Sequence, residues 1–354
     1  MDLMFIYWLI LPIIVLFYLF FNKHNNLFII SSFLLLGIIS AFRSSVVGSD
    51  TALYEFLFFN PKLLGDKSPI YTSYSEFLKL LSNNQHTITI SNSILICTLF
   101  AIFFIRLKQK NIYSLYSIFL FVTMFFWGNS LCTSRQYVAM GLFVNGVLYL
   151  FQKKYIKFFV LALLSIGVHA ISVVGVFVFL IFLMKQNKKS LLIFVILLIS
   201  IVLFYNKLLN LFVNIFSDYN MYTNGTNNLQ ISTSGAGAAI IYNSFIFIVF
   251  CLLIFLVYKN KIRLNHMEFS LLCIFSVFVI LDLFMYNVVF LQRIFMFYSI
   301  FGVVVIPLLF SKIKKVLDFR IYYFFNGAFT ITMLAYYYIQ LSHDYIGIVP
   351  YILK

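Results

Sequence analysis

Carboxylates are scarce: ten Asp and Glu stand against 25 Lys and Arg in 354 residues, and only 10% of the chain is charged. So little charge excludes a soluble globular domain, in which about 25% of residues are charged. Cysteine is sparse too. Cys97, Cys132, Cys251 and Cys273 form no C-x-x-C pair and three lie in apolar segments, which argues against a metal site or a disulfide framework. Strict apolar–polar alternation over short strands is missing, so a transmembrane β-barrel is excluded. The first apolar segment, 3–21, has neither a basic n-region nor a small-residue cleavage site and reads as a retained helix. The GAGAA run at 235–239 follows no strand and makes no nucleotide loop.

Apolar length is what the chain has in abundance. Hydrophobic residues make up 63% and aromatics 20%, and the mean hydropathy is +1.02. Apolar segments of about 17–25 residues, the length a helix needs to cross a bilayer, alternate with short polar loops. They fall at roughly 3–21, 27–42, 88–105, 112–127, 137–151, 158–184, 191–210, 238–258, 268–288, 294–310 and 321–339. The expected fold is an all-α polytopic membrane protein, a single integral membrane domain over 1–354 with about ten full transmembrane helices.

The net charge of +15 follows the positive-inside rule and does not mark a nucleic-acid binder. Basic clusters at Lys23, at 106–110, 153–157, 185–189 and 259–263, and at 312–320 alternate with neutral or acidic loops. This puts the clusters in the cytoplasm and both termini outside. Residues 158–184 break the alternation, lying between two basic clusters. A re-entrant pair of half-helices broken near Gly167 and His169 fits that placement. One long tilted helix with a core histidine is the alternative. The outside then carries an interfacial segment at about 43–87 and a polar loop at about 217–237. Tyr71, Tyr74, Phe77, Leu78 and Leu81 follow helical spacing, as in a short amphipathic helix lying in the interface.

Three arginines sit at outer ends of these segments: Arg43, Arg135 and Arg293. An arginine there is costly unless it is paired or faces a cavity. Convergence on one cavity would suit a diphosphate, because the guanidinium fork holds phosphate bidentately; separately, each could snorkel to lipid headgroups. Asp50 is placed to cap the helix that begins at Thr51, and is also the carboxylate nearest Arg43. His169 is the one histidine inside an apolar segment, either a hydrogen-bonded core residue or a general base. Asp282 is an intramembrane acid that could pair with an arginine. Glu55, Glu76 and Asp344 read as interfacial.

Four stretches in order, "FRSSVVGSDTALYEFL", "SRQYVAMGLFVNGVLYLFQKKYIKFFVLALLSIGVHAISVVG", "QRIFMFYSI" and "DYIGIVPYIL", resemble the EpsG group of Wzy-type polysaccharide polymerases. Ser49 stands where that family often has threonine. The resemblance covers nearly the whole chain. It implies a bacterial inner-membrane glycosyltransferase with a GT-C-like architecture and an active site facing the periplasm. Such an enzyme transfers a growing glycan from undecaprenyl diphosphate to a lipid-linked repeat unit. It implies no cofactor, no metal and no nucleotide sugar. The expected partners are the undecaprenyl-diphosphate-linked oligosaccharide, membrane lipid and a chain-length regulator protein. On this reading Arg43, Arg135 and Arg293 bind diphosphate, His169 is the base and Asp50 orients the sugar, while Tyr54, Gln136 and Gln292 contact substrate. A flippase for the same lipid-linked glycan, or an O-antigen-ligase-like transferase, would use similar residues. The absence of an internal repeat weighs against the flippase.

Overall fold

A computed structural model of the chain describes residues 4–21, 23–64, 68–107, 111–204, 207, 236–259, 263–285 and 289–354. Most of the polar loop expected at 217–237 lies outside them. The described residues are helical, with no strand beyond one isolated bridge between Arg43 and Leu353. Where they are described, the apolar segments found in the sequence coincide with helix, some of them broken. The chain divides into two compact units, Met1–Val176 with Met333–Lys354 and Phe177–Thr332, where the sequence shows no boundary.

The first unit contains α1 (Phe5–Phe20), α2 (Asn25–Ala41), α3 (Thr51–Phe59), a 3-10 turn at Pro61–Leu64 and α4 (Pro69–Leu81). It continues with α5 (His86–Arg106), α6 (Asn111–Thr123), α7 (Phe126–Cys132), α8 (Ser134–Phe151) and α9 (Tyr155–Val168). α5 is the centre: α2 packs on one side and α8 on the other, and α9 packs on α8. Phe33 of α2 lies 5.3 Å from Phe104 and 5.4 Å from Phe121, and Phe100 lies 4.9 Å from Phe121, measured between ring centroids. Offset rings at such spacing stabilise a core beyond the area they bury. Serines enter this core because each satisfies itself within its own helix. Ser32, Ser40, Ser75 and Ser93 donate to the carbonyl four residues earlier.

The second unit contains α10 (Val178–Phe182), α11 (Lys188–Leu203), α12 (Ala236–Tyr258), α13 (His266–Met285), α14 (Val289–Ser299) and α15 (Gly302–Ile313), with the first part of α16 (Phe319–His343). α13 is its core helix, packed on by α10, α11, α12, α14 and α15. A reciprocal capping box starts α13: the Asn265 amide donates to Glu268 Oε2 (2.7 Å) and the Glu268 amide to Asn265 Oδ1 (2.9 Å). Asp282 pairs not with an arginine but with Asn243, whose Nδ2 donates to Oδ2 at 2.6 Å.

Among the described residues, only His86–Arg106 and His266–Leu283 are single helices long and apolar enough to cross a membrane. Two bent pairs, Tyr113–Thr123 with Phe126–Cys132 and Leu291–Ser299 with Gly302–Ile313, raise the number to as many as four. The expected ten full spans are not matched by helix length among the described residues. Breaks divide several apolar segments, and other apolar helices run 10–17 residues. One break falls at Phe125, whose φ of 68° is left-handed. Another falls where the sequence suggested, at His169: α9 stops at Val168, His169 is extended (φ −150°, ψ 112°), and a 3-10 stretch, Ala170–Phe177, follows.

Candidate functional site

The loop after α2 is built around a buried guanidinium. Arg43 is 2% exposed; its Nη1 donates to Ser40 O and to Ser93 Oγ (3.2 Å), and its Nη2 to Leu131 O (3.0 Å). Burial pulls the group down to about 10, which leaves it charged at neutral pH. These bonds join the ends of α2, α5 and α7. Arg43, expected to grip diphosphate, spends its fork on the protein's own oxygens.

The C-terminal segment completes the loop. Ser44 N donates to Ile352 O (2.7 Å), Gly48 N to Gly347 O (2.6 Å), Ser49 N to Ile346 O (2.9 Å) and Lys354 N to Phe42 O (3.1 Å). Asp344 Oδ1 holds the tail's bend by accepting from the Ile348 and Val349 amides, and Tyr7 donates its hydroxyl to Ile348 O. The first and last sequence motifs therefore form one structure. Gly48 is indispensable to it: φ is +89°, and a Cβ there would lie 2.6 Å from Leu131 O. Gly48→Ala is expected to cost about 2 kcal/mol or more through left-handed strain and that clash. It would show as a lower thermal midpoint in detergent, and an unchanged midpoint would mean the loop rebuilds without cost.

Asp50 occupies the N-cap position of α3 but makes no side-chain cap bond. Thr51 instead holds the turn, its Oγ1 donating to Val47 O (2.7 Å). The Asp50 carboxylate is half-exposed and accepts from Ser49 Oγ at 3.4 Å. It is thus available to a ligand hydroxyl, as an orienting role requires.

Arg135 opens α8, and its surroundings are aromatic. Its guanidinium lies 5.8 Å from the Tyr71 ring centroid, with Nη1 3.4 Å from Ser68 Oγ. Tyr71 is flanked by Tyr54 (6.3 Å) and Tyr74 (5.7 Å), and its hydroxyl accepts from Asn92 Nδ2 at 2.7 Å. Asn92 also donates to Ser134 Oγ (3.1 Å). Burial and the neighbouring Tyr54 hold the Tyr71 phenol well above its ordinary range, so it stays neutral. Two polar atoms here are buried without a hydrogen-bond partner, Arg135 Nε and Asn92 Oδ1. A buried unpartnered donor and acceptor on a pre-set frame ask for a ligand.

α4 supplies this floor with a stripe that shares only Tyr71 and Leu78 with the helical spacing read in the sequence. Tyr71, Ser75 and Leu78 are buried, whereas Phe77 and Leu81 are exposed. Gly167 lets Ile70 of α4 press against α9. α8 and α9 run antiparallel in a register set by two contacts: Ser165 Oγ donates to Ala139 O (2.7 Å), and Gly146 lies against Phe158 and Leu161. Continued toward the break, that register places His169 level with Arg135. His169 is buried, and its backbone amide still bonds Ser165 O. Gln136 is buried on α8 and Tyr54 on α3. Arg293 and Gln292 belong to the second unit, half-buried on α14, and Arg293 sits one turn inside the helix instead of at its start.

The sequence reading missed a buried contact between a carboxylate and an imidazole. Glu55, expected at the interface, is 1% exposed. Its Oε1 is 2.7 Å from His86 Nδ1 and accepts from Thr89 Oγ1 (3.1 Å), and Lys354 Nζ approaches Oε2 at 3.7 Å. His86 Nε2 faces Ala41 O at 3.1 Å. Both ring nitrogens thus face oxygens, a carboxylate on one side and a carbonyl on the other.

A family model described as the EpsG family matches residues 26–353. The chain belongs to the EpsG family. EpsG proteins are Wzy-like polymerases, and the match runs from the start of α2 through the tail that closes the Arg43 loop. No curated protein and no solved structure matches this EpsG chain. Membership establishes a polysaccharide-polymerase type of role for this membrane protein.

Proposed function

We propose that this EpsG-family chain polymerises lipid-linked repeat units at the outer face of the bacterial cytoplasmic membrane. The acceptor sugar's hydroxyl attacks the anomeric carbon of a glycan carried on undecaprenyl diphosphate. The glycosidic bond forms, the bond from that carbon to the diphosphate oxygen breaks, and a base takes the hydroxyl proton. Arg135 supports this reading most directly. It is a positioned cation in the first turn of an 18-residue helix, with Nε enclosed and unused. Guanidinium and helix N-terminus both favour a developing diphosphate charge. His169, level with it, is the proposed base, and half-exposed Asp50 orients the sugar. Arg43 acts one step back, bolting the loop that presents Asp50. Arg293 and Gln292 rest on their motif alone.

The deciding experiment is glycan length in cells lacking the chain. Lipid-linked single repeats should accumulate, wild type should restore a ladder, and Arg135→Lys, keeping the charge but losing the fork, should not. Long lipid-linked chains in the deletion would instead identify a ligase, and repeats held at the inner face a transporter. A normal ladder from Arg135→Lys would remove the diphosphate role.

A further inference from the structure

The end of the first unit opposite Arg43 carries a second arrangement of cations. α5 runs from His86, beside Ala41, to Arg106 at its far end. Arg106 Nη1 donates to Asn145 O (3.3 Å) and Oδ1 (3.2 Å), and its guanidinium carbon lies 4.0 Å from the Tyr149 ring centroid. Asn145 is itself fixed, its Nδ2 donating to Leu99 O (2.8 Å) and Gly141 O (2.9 Å). Lys157 Nζ approaches the same ring at 5.4 Å. Arg106 Nη2 is buried without a hydrogen-bond partner.

A snorkelling arginine would swing freely into water, whereas this one is held by two residues, Asn145 and Tyr149, with one donor arm unused. The carboxylates among the described residues of the unit, Asp50, Glu55, Glu76 and Asp344, all belong to segments at the other end. Two cations on one neutral ring, with no acid at that end among the described residues, call for an anion. Beside them the first turns of α9 expose Ile156, Val160 and Leu163, an apolar surface suited to an acyl chain.

We propose that Arg106, Lys157 and Tyr149 form a binding site for the phosphodiester headgroup of an anionic membrane lipid, whose acyl chain lies along α9. The phosphate oxygens take the free Arg106 arm and the Lys157 ammonium. The site lies a full helix length from the Arg135 cluster and does not depend on the polymerase reading. Occupied, it anchors the α8–α9 hairpin whose other end carries Arg135 and His169.

The test is retention of phosphatidylglycerol by the full-length protein, counted by native mass spectrometry after release from mixed phosphatidylglycerol–phosphatidylcholine nanodiscs. Wild type should hold phosphatidylglycerol in preference to phosphatidylcholine. Arg106→Gln and Lys157→Gln should each lower retention by about fivefold. Lys23→Gln, which removes a charge from the same face away from the ring, should change it less than twofold. Equal losses from Lys23→Gln and Lys157→Gln would mean diffuse attraction and overturn the site. Displacement of the lipid by inorganic phosphate at millimolar concentration would reassign it to a free anion. Lys157 is exposed, so its variant decides the matter even if Arg106→Gln fails to fold.

Discussion

Glu55→Ala is expected to lower the stability of the first unit by about 3–5 kcal/mol, the usual cost of breaking a buried pair from one side. His86 would keep a donor aimed at Ala41 O while its other nitrogen, 2.7 Å from the missing carboxylate, faced nothing. Thr89 would lose its acceptor as well. The companion double variant, Glu55→Leu with His86→Leu, should recover much of the loss, because the imidazole is no longer left buried without its partner. Thermal unfolding in detergent reads both. A single variant that melts with the wild type would show the pair to be energetically idle.

The second large effect concerns the base. His169→Ala is expected to cut polymerisation by about 10²–10⁴-fold, the range for a positioned general base. Asp50→Asn should cost less, since an amide oxygen still accepts a sugar hydroxyl. The comparison is made in membranes supplied with lipid-linked repeats, with protein levels matched by immunoblot. An active His169→Ala enzyme beside a dead Asp50→Asn enzyme would transfer the proton to the carboxylate.

The sequence made some of this visible and hid the rest for identifiable reasons. Helix positions were legible because apolar run length and loop charge are local properties, and the break at His169 announced itself as a segment caught between two basic clusters. The break at Phe125 had no such flag: a phenylalanine in the left-handed region is imposed by tertiary contacts. The protein-facing stripe of α4 was not legible because Ser75, in its middle, counts as polar in any pattern, although its hydroxyl is satisfied by Tyr71 O. Glu55 sits among Phe56, Leu57 and Phe58 and reads as interfacial. Its partner is 31 positions away, a distance at which spacing carries no information. Arg43 was correctly singled out as unusual, but its partner Leu131 O is a backbone carbonyl, and no residue type at 131 could have signalled it. Tyr71 and Asn92 were missed as the frame of Arg135 because each looks ordinary alone.

The strap that closes the Arg43 loop also sets an order of assembly. Tyr7 and Ile348 are 341 positions apart, yet their hydrogen bond ties the tail to the first helix, and four backbone bonds then lay that tail on residues 42–49. Contacts so remote close late, because the loop entropy between them is met only after the intervening helices have packed. During synthesis the segment bearing Asp50 therefore stays unformed until residues 344–354 have left the ribosome and reached the same side of the membrane. A chain interrupted before residue 344 has helices but no finished Asp50 loop, so the sugar-orienting role proposed for Asp50 waits on the tail's arrival.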